Sequence, residues 1–167
     1  MATVEERLMH WLRDAHAAEE QAETMLSGLV KQINDYPELK SQVEKHIKES
    51  QRHAELVRGC IERRGKSSST IKDTGAKMIG LGQALSGWFV GDEVMKGSIA
   101  SYAFEAMEIA SYTVLIATAE EAGDQETAAV CRQILKEEQI MADWLERNMA
   151  KVTRQYLAHA ESRDVAA

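Results

Sequence analysis

The stretch LMHWLRDAHAAEEQAETMLSGLVKQI, residues 8–33, reads as one amphipathic helix. At alternating spacings of four and three it presents Leu8, Leu12, Ala15, Glu19, Ala22, Leu26, Leu29 and Ile33 along one face. That stripe is apolar at every position except Glu19. An unpaired carboxylate on a buried face is very costly, so Glu19 must hold a proton or a cation if the stripe is a core face.

The same pattern recurs near the other end of the chain. Cys131, Leu135, Glu138, Ala142, Leu145, Met149, Val152 and Tyr156 form a second apolar stripe broken by one glutamate. Two further glutamates complete a spacing rule: Glu19 and Glu49 lie 30 residues apart, and so do Glu108 and Glu138. Each pair straddles a turn signal, Asn34-Asp35-Tyr36-Pro37 in one and Ala122-Gly123-Asp124 in the other. If each half is a helical hairpin, each turn returns its glutamates to one height. Packing the hairpins together then gathers four carboxylates at one level inside a bundle, the pattern of a carboxylate-bridged two-metal site.

Local signals set the boundaries. Thr3 and Glu6 form a Thr-x-x-Glu capping box for the first helix. Pro37 suits the first turn of a second helix that ends at Arg63-Arg64-Gly65, with positive charge against the carbonyl terminus. Its apolar face reads Leu39, Val43, Ile47, Ser50, Ala54, Val57 and Ile61, with His46, Glu49, His53, Leu56 and Cys60 in a row beside it. Residues 66–97 are richer in serine and glycine and predict a long crossover with a short helix near Thr70–Leu85. A third helix is expected from Gly97 to Ala122, and Asp124 caps a fourth. The domain so defined spans 1–160, followed by a frayed polar tail at 161–167.

Composition agrees with an all-α domain. The 167 residues include one proline and ten glycines, so nothing resists long helices. The formal charge of −7 argues against a nucleic-acid binder and is compatible with cation uptake. No run of 18 apolar residues and no basic-then-apolar leader occurs, and the expectation is a cytoplasmic chain with neither membrane span nor secretion. Cys60 and Cys131, lacking any C-x-x-C context, read as thiols buried as small hydrophobes.

The candidate metal ligands are Glu19, Glu49, Glu108 and Glu138, with His53 one turn from Glu49. Glu105, one turn before Glu108, is a further candidate, and periodicity alone does not separate the two. Glu20, Glu120, Glu121 and Glu137 read as surface charges, with Glu137 left open as an alternative to its neighbour Glu138. His16 and His46 read as hydrogen-bonded interfacial histidines rather than ligands. Tyr112, one turn beyond Glu108, is the candidate catalytic residue, placed to hydrogen-bond a ligand or an oxygen species. Oxygen-rich donors with some imidazole suit iron or manganese, and carboxylates bridge two divalent ions where imidazole cannot.

At this point the residues resemble a known family. Leu12–Glu19 (LRDAHAAE), Phe104–Tyr112 (FEAMEIASY) and Leu135–Glu138 (LKEE) are similar to the YciE/YciF-type ferritin-like proteins. Ile71-Lys72-Asp73 and Met141-Ala142-Asp143-Trp144-Leu145 resemble the YciE branch. The resemblance runs to about residue 160. It implies a ferritin-like four-helix bundle with a crossover, a homodimer in the bacterial cytoplasm, and association with stress responses. Against the wider di-iron group, Glu105 and Glu108 resemble the Glu-x-x-Glu of rubrerythrins. The histidines expected three residues after Glu49 and Glu138 are replaced by Arg52 and Met141. The site is thus richer in carboxylate and poorer in imidazole than its relatives imply.

Three functions follow as expectations. One is a dinuclear iron or manganese protein acting on peroxide or oxygen, with an external electron donor. The second is a non-catalytic metal-stabilised protein, and the third an interaction module for a stress-protein partner.

Overall fold

The computed structural model describes residues 2–65 and 92–165, with the backbone alone for 163–165. Four helices account for nearly all of them: α1 (Val4–Val30), α2 (Pro37–Arg63), α3 (Glu93–Glu121) and α4 (Gln125–Val165). This is the all-α four-helix bundle expected. The short helix expected at 70–85 lies outside the described residues, and α4 continues past residue 160 to Val165.

The helix ends form where the sequence signals them. Thr3 and Glu6 make the reciprocal capping box, Thr3 N–H to Glu6 Oε2 at 2.8 Å and Glu6 N–H to Thr3 Oγ1 at 3.1 Å. The turn after α3 is a Schellman motif, in which Gly123 N–H bonds Glu120 O and Asp124 N–H bonds Ala119 O. That motif needs a left-handed residue, and Gly123 supplies φ 72° without a Cβ penalty. Asp124 then caps α4 by accepting from Thr127 N–H at 3.0 Å, while Arg63 at the end of α2 and Arg64 just beyond it hold its carboxylate. Asp124→Ala removes the cap and both arginine contacts. It is expected to cost about 2 kcal/mol, read as a lower denaturation midpoint at unchanged m-value.

One boundary differs from expectation. α3 starts at Glu93, four residues before Gly97, because this glycine is a close-approach position inside the helix and not its end. A Cβ at Gly97 would lie 2.5 Å from Leu29 Cδ1 of α1.

α1 packs on α2 and α3, and α4 packs on the same two, so α1 faces α4 and α2 faces α3 across the diagonals. Pairs such as Glu38–Lys151 and Arg63–Asp124 show that α2 and α4 are antiparallel. α2 and α3 therefore run in the same direction, and the end of α2 lies at the opposite end of the bundle from the start of α3. Two apolar layers hold the helices together. One contains Leu8, Leu12, Val57, Ile61, Leu115 and Ile134, and the other Leu26, Leu29, Leu39, Val43, Val94 and Leu145. On every helix the polar residues of interest lie between these layers.

Candidate metal centre

α2 buries most of the face its apolar pattern marks, Leu39, Val43, Ser50, Val57 and Ile61, and departs from it in the middle. His46, Ser50 and His53 are fully buried, whereas Ile47 and Ala54 are only half-buried. The histidines sit seven residues apart, two turns along one face, and meet acidic groups from the other three helices. Glu19 comes from α1, Glu105 and Glu108 from α3, and Glu138 from α4. Each of these six side chains is at most 1% exposed. Cys60 and Cys131 are buried free thiols in one of the apolar layers, as expected.

The donors gather in two groups. Glu19, His53 and Glu138 offer ligand atoms within 4.8 Å of one another, and so do His46, Glu105 and Glu138. Glu138 belongs to both, one oxygen on each side. Its Oε1 lies 2.8 Å from His53 Nδ1, and its Oε2 lies 3.3 Å from His46 Nε2. His46 Nε2 is also 3.1 Å from Glu105 Oε2, and His53 Nδ1 is 3.5 Å from Glu19 Oε2. These are ion-pair distances, but the atoms are misaligned for hydrogen bonds. Glu19 Oε2, His46 Nε2, His53 Nδ1, Glu105 Oε2 and both oxygens of Glu108 and of Glu138 are buried without a hydrogen-bond partner.

So many unsatisfied donors and acceptors in one place are foreign to a core built for stability alone. They are the donor set a divalent cation needs, carboxylate oxygen with one imidazole per group, so the residues fit two such ions. Tyr112, buried on α3, donates its hydroxyl to Glu19 Oε1 and fixes that carboxylate.

The remaining expected ligand, Glu49, stands elsewhere. Its side chain is 18% exposed, at the rim, where Oε1 pairs with Lys45 Nζ at 2.9 Å and Oε2 meets His46 Nδ1 at 3.2 Å. Glu137 has the matching place beside His53, whose Nε2 lies 2.9 Å from Glu137 Oε2. Glu20, Glu120 and Glu121 are exposed, in line with their reading as surface charges. His16 is buried near Glu20 and belongs to neither group. The residue sequence reasoning passed over is His46, and its spacing from His53 was the available signal.

With protons as the only cations, the cluster is strained electrostatically. Burial pushes Glu19 up, and it pushes Glu105 up to about 8 despite His46 beside it. Glu108 rises well above its ordinary value, from burial first and then from Glu19, Glu138 and Glu105. Burial and the neighbouring Glu19 and Glu108 raise Tyr112 well above its usual value. For the histidines burial works against charge, but the carboxylates outweigh it, raising His46 to about 12 and His53 to about 10. Burial opposes the charge of Glu138 too, yet the two imidazoliums hold it down at about 2. Contact with His46, helped by Lys45, lowers Glu49 to about 2 as well.

These directions carry a pH prediction. Glu105 keeps a proton between about pH 4.5 and 8 that an unfolded chain releases, and each histidine keeps one from 6.5 upward. The folded state therefore binds more protons than the unfolded state across this window, and stability must fall as pH rises through it. Thermal melting in chelator is expected to give a lower Tm at pH 9 than at pH 6.

Known proteins resemble this chain in sequence and in fold. Residues 3–158 match the family described as a domain of unknown function, DUF892. The chain belongs to the DUF892 family. A solved protein from Xanthomonas campestris pv. campestris is 36% identical to this DUF892 chain, covering 95% of it and 99% of its own length, with TM-score 0.78. The Escherichia coli stress protein YciF shares the fold at 22% identity and TM-score 0.78, covering 92% of this chain and 99% of its own. YcfI from Rhodopseudomonas palustris is 25% identical, covering 87% and 94%, with TM-score 0.72. The family resemblance drawn from LRDAHAAE and FEAMEIASY holds at the level of the YciF-type family, and these relatives do not separate out a YciE branch. Fold and buried donors together are compatible with a ferritin-like metal-binding protein. Among the described residues no helix is long and apolar enough to cross a membrane.

Proposed function

We propose that this DUF892 protein is a ferritin-like dinuclear metalloprotein that acts on peroxide or oxygen under stress. The observation that carries the reading is the pair of buried donor groups sharing Glu138. Glu19, His53 and Glu138 hold one ion, and His46, Glu105 and Glu138 the other. Glu108, with both oxygens buried and unpartnered and its charge opposed by Glu19, Glu138 and Glu105, serves either. Iron suits these donors best and manganese is the variant, because carboxylate and imidazole together favour them over magnesium or calcium. Two such ions, when bound, supply a pair of one-electron redox centres able to reduce peroxide without releasing a radical.

The chain's own residues do the rest. Glu138 spans the two groups and sets their separation. Tyr112 orients Glu19 and places a phenolic proton at the cluster. The two apolar layers keep bulk water from the donors. The reading includes a homodimer in the cytoplasm. It also includes an external electron donor, since two cysteines cannot build a rubredoxin-like four-cysteine centre.

A second reading has an observation of its own. Every donor in the two groups is at most 1% exposed, as suits a closed site that stabilises the bundle without turnover. Peroxide consumption by Fe(II)- or Mn(II)-loaded protein separates the two. Consumption above a protein-free metal control supports the redox reading, while tight loading without consumption leaves the structural one. Both require ion binding to the folded state. At a free ion concentration 100-fold above Kd, that binding adds about 2.7 kcal/mol to stability, read as a rise in Tm.

A further inference from the structure

We infer that Glu49 and Glu137 are positioning residues of the metal centre, each holding one histidine so that its other ring nitrogen faces the cluster. The inference rests on the metal reading above and assigns two residues to it that are not ligands.

The two histidines are arranged alike. His53 places Nε2 against Glu137 at 2.9 Å and Nδ1 against Glu138 at 2.8 Å. His46 places Nδ1 against Glu49 at 3.2 Å and Nε2 against Glu105 and Glu138. In each ring the rim-facing nitrogen has hydrogen-bond geometry, and the cluster-facing nitrogen has none. An N–H donated outward to a carboxylate leaves the inner nitrogen's lone pair free for a cation and raises its basicity.

The rim carboxylates are themselves anchored. Arg52 of α2 binds Glu137, and Lys45 binds Glu49 at 2.9 Å. Both are partly exposed, 18% for Glu49 and 19% for Glu137, whereas the histidines they hold are fully buried. As ordinary surface ion pairs they would contribute almost nothing. A partner wholly inside the protein gives them a different task. The two rings use opposite nitrogens for the same purpose, and this inversion makes the tautomers a specific prediction.

The test uses Zn(II), a diamagnetic probe, on the whole chain. In the Zn(II)-loaded wild type, nitrogen-15 shifts of the imidazole rings should show His53 protonated at Nε2 and His46 at Nδ1. Glu49→Ala and Glu137→Ala should each weaken Zn(II) binding by about 10- to 100-fold while keeping the wild-type number of ions. Glu49→Gln and Glu137→Gln retain an acceptor oxygen and should recover most of that affinity. Opposite tautomers, or alanine variants that bind as well as wild type, would overturn the inference. An ion lost outright in Glu49→Ala would also overturn it, by making Glu49 a ligand. A wild type that takes up no Zn(II) overturns the metal reading and this inference together, so the two failures are distinguishable.

Discussion

Glu138→Ala is expected to remove both metal ions and also to destabilise the metal-free protein by about 3–5 kcal/mol. One residue has both effects because its two oxygens face different histidines, His53 at 2.8 Å and His46 at 3.3 Å. Those histidines carry protons at neutral pH and are fully buried. Without Glu138 their charges keep Glu49 and Glu137 at the rim, but inside the cluster they keep only Glu105 and Glu19, which burial pushes toward neutrality. Breaking a buried pair costs far more than the pair contributes, since the remaining charge is stranded. Equilibrium denaturation in chelator reads the second effect. A loss under about 1 kcal/mol would mean that the histidines are not charged in the folded state.

Glu108→Leu should act in the opposite direction on stability. Both oxygens of Glu108 are buried without a partner, and burial with three neighbouring carboxylates raises its pKa well above the usual range. A leucine of similar size removes the desolvated polar group and gains apolar contact between the layers. Such replacements are neutral to stabilising, by about 1–4 kcal/mol. The expected result is a higher Tm in chelator, together with weaker metal binding and a smaller rise in Tm on adding metal. A variant less stable than wild type without metal would show that Glu108 has a structural partner.

The opposed signs follow from one circumstance, that a cation site lies between two apolar layers. Much of this was legible in the sequence because the lone charge on each stripe stood out. Glu19 among Leu12, Ala15, Ala22 and Leu26 and Glu138 among Leu135, Ala142 and Leu145 needed only the helical period. The turns were equally clear, since Gly123 and Asp124 each have one conformational task.

α2 was harder to read. Its apolar residues mark a face through Ile47 and Ala54, whereas the fold buries His46 and His53 fully. Apolar periodicity locates a core face only where the core is apolar, and at the centre of this bundle it is not. The equal spacing of Glu49 and Glu108 from their partners therefore pointed at the right level of the bundle. It could not tell a residue aimed inward from one at the rim. Gly97 misled for a related reason, because a glycine marking close helix contact looks in sequence like one marking a helix end.

The central claim is that the buried donors hold two ions through a shared Glu138. Anaerobic Fe(II) titration of chelator-treated protein, with bound iron counted per chain, tests it most directly. The expected result is two ions per chain in the wild type and in Glu20→Ala, and none in Glu138→Ala. No specific uptake by the wild type, or equal uptake by all three proteins, would contradict it.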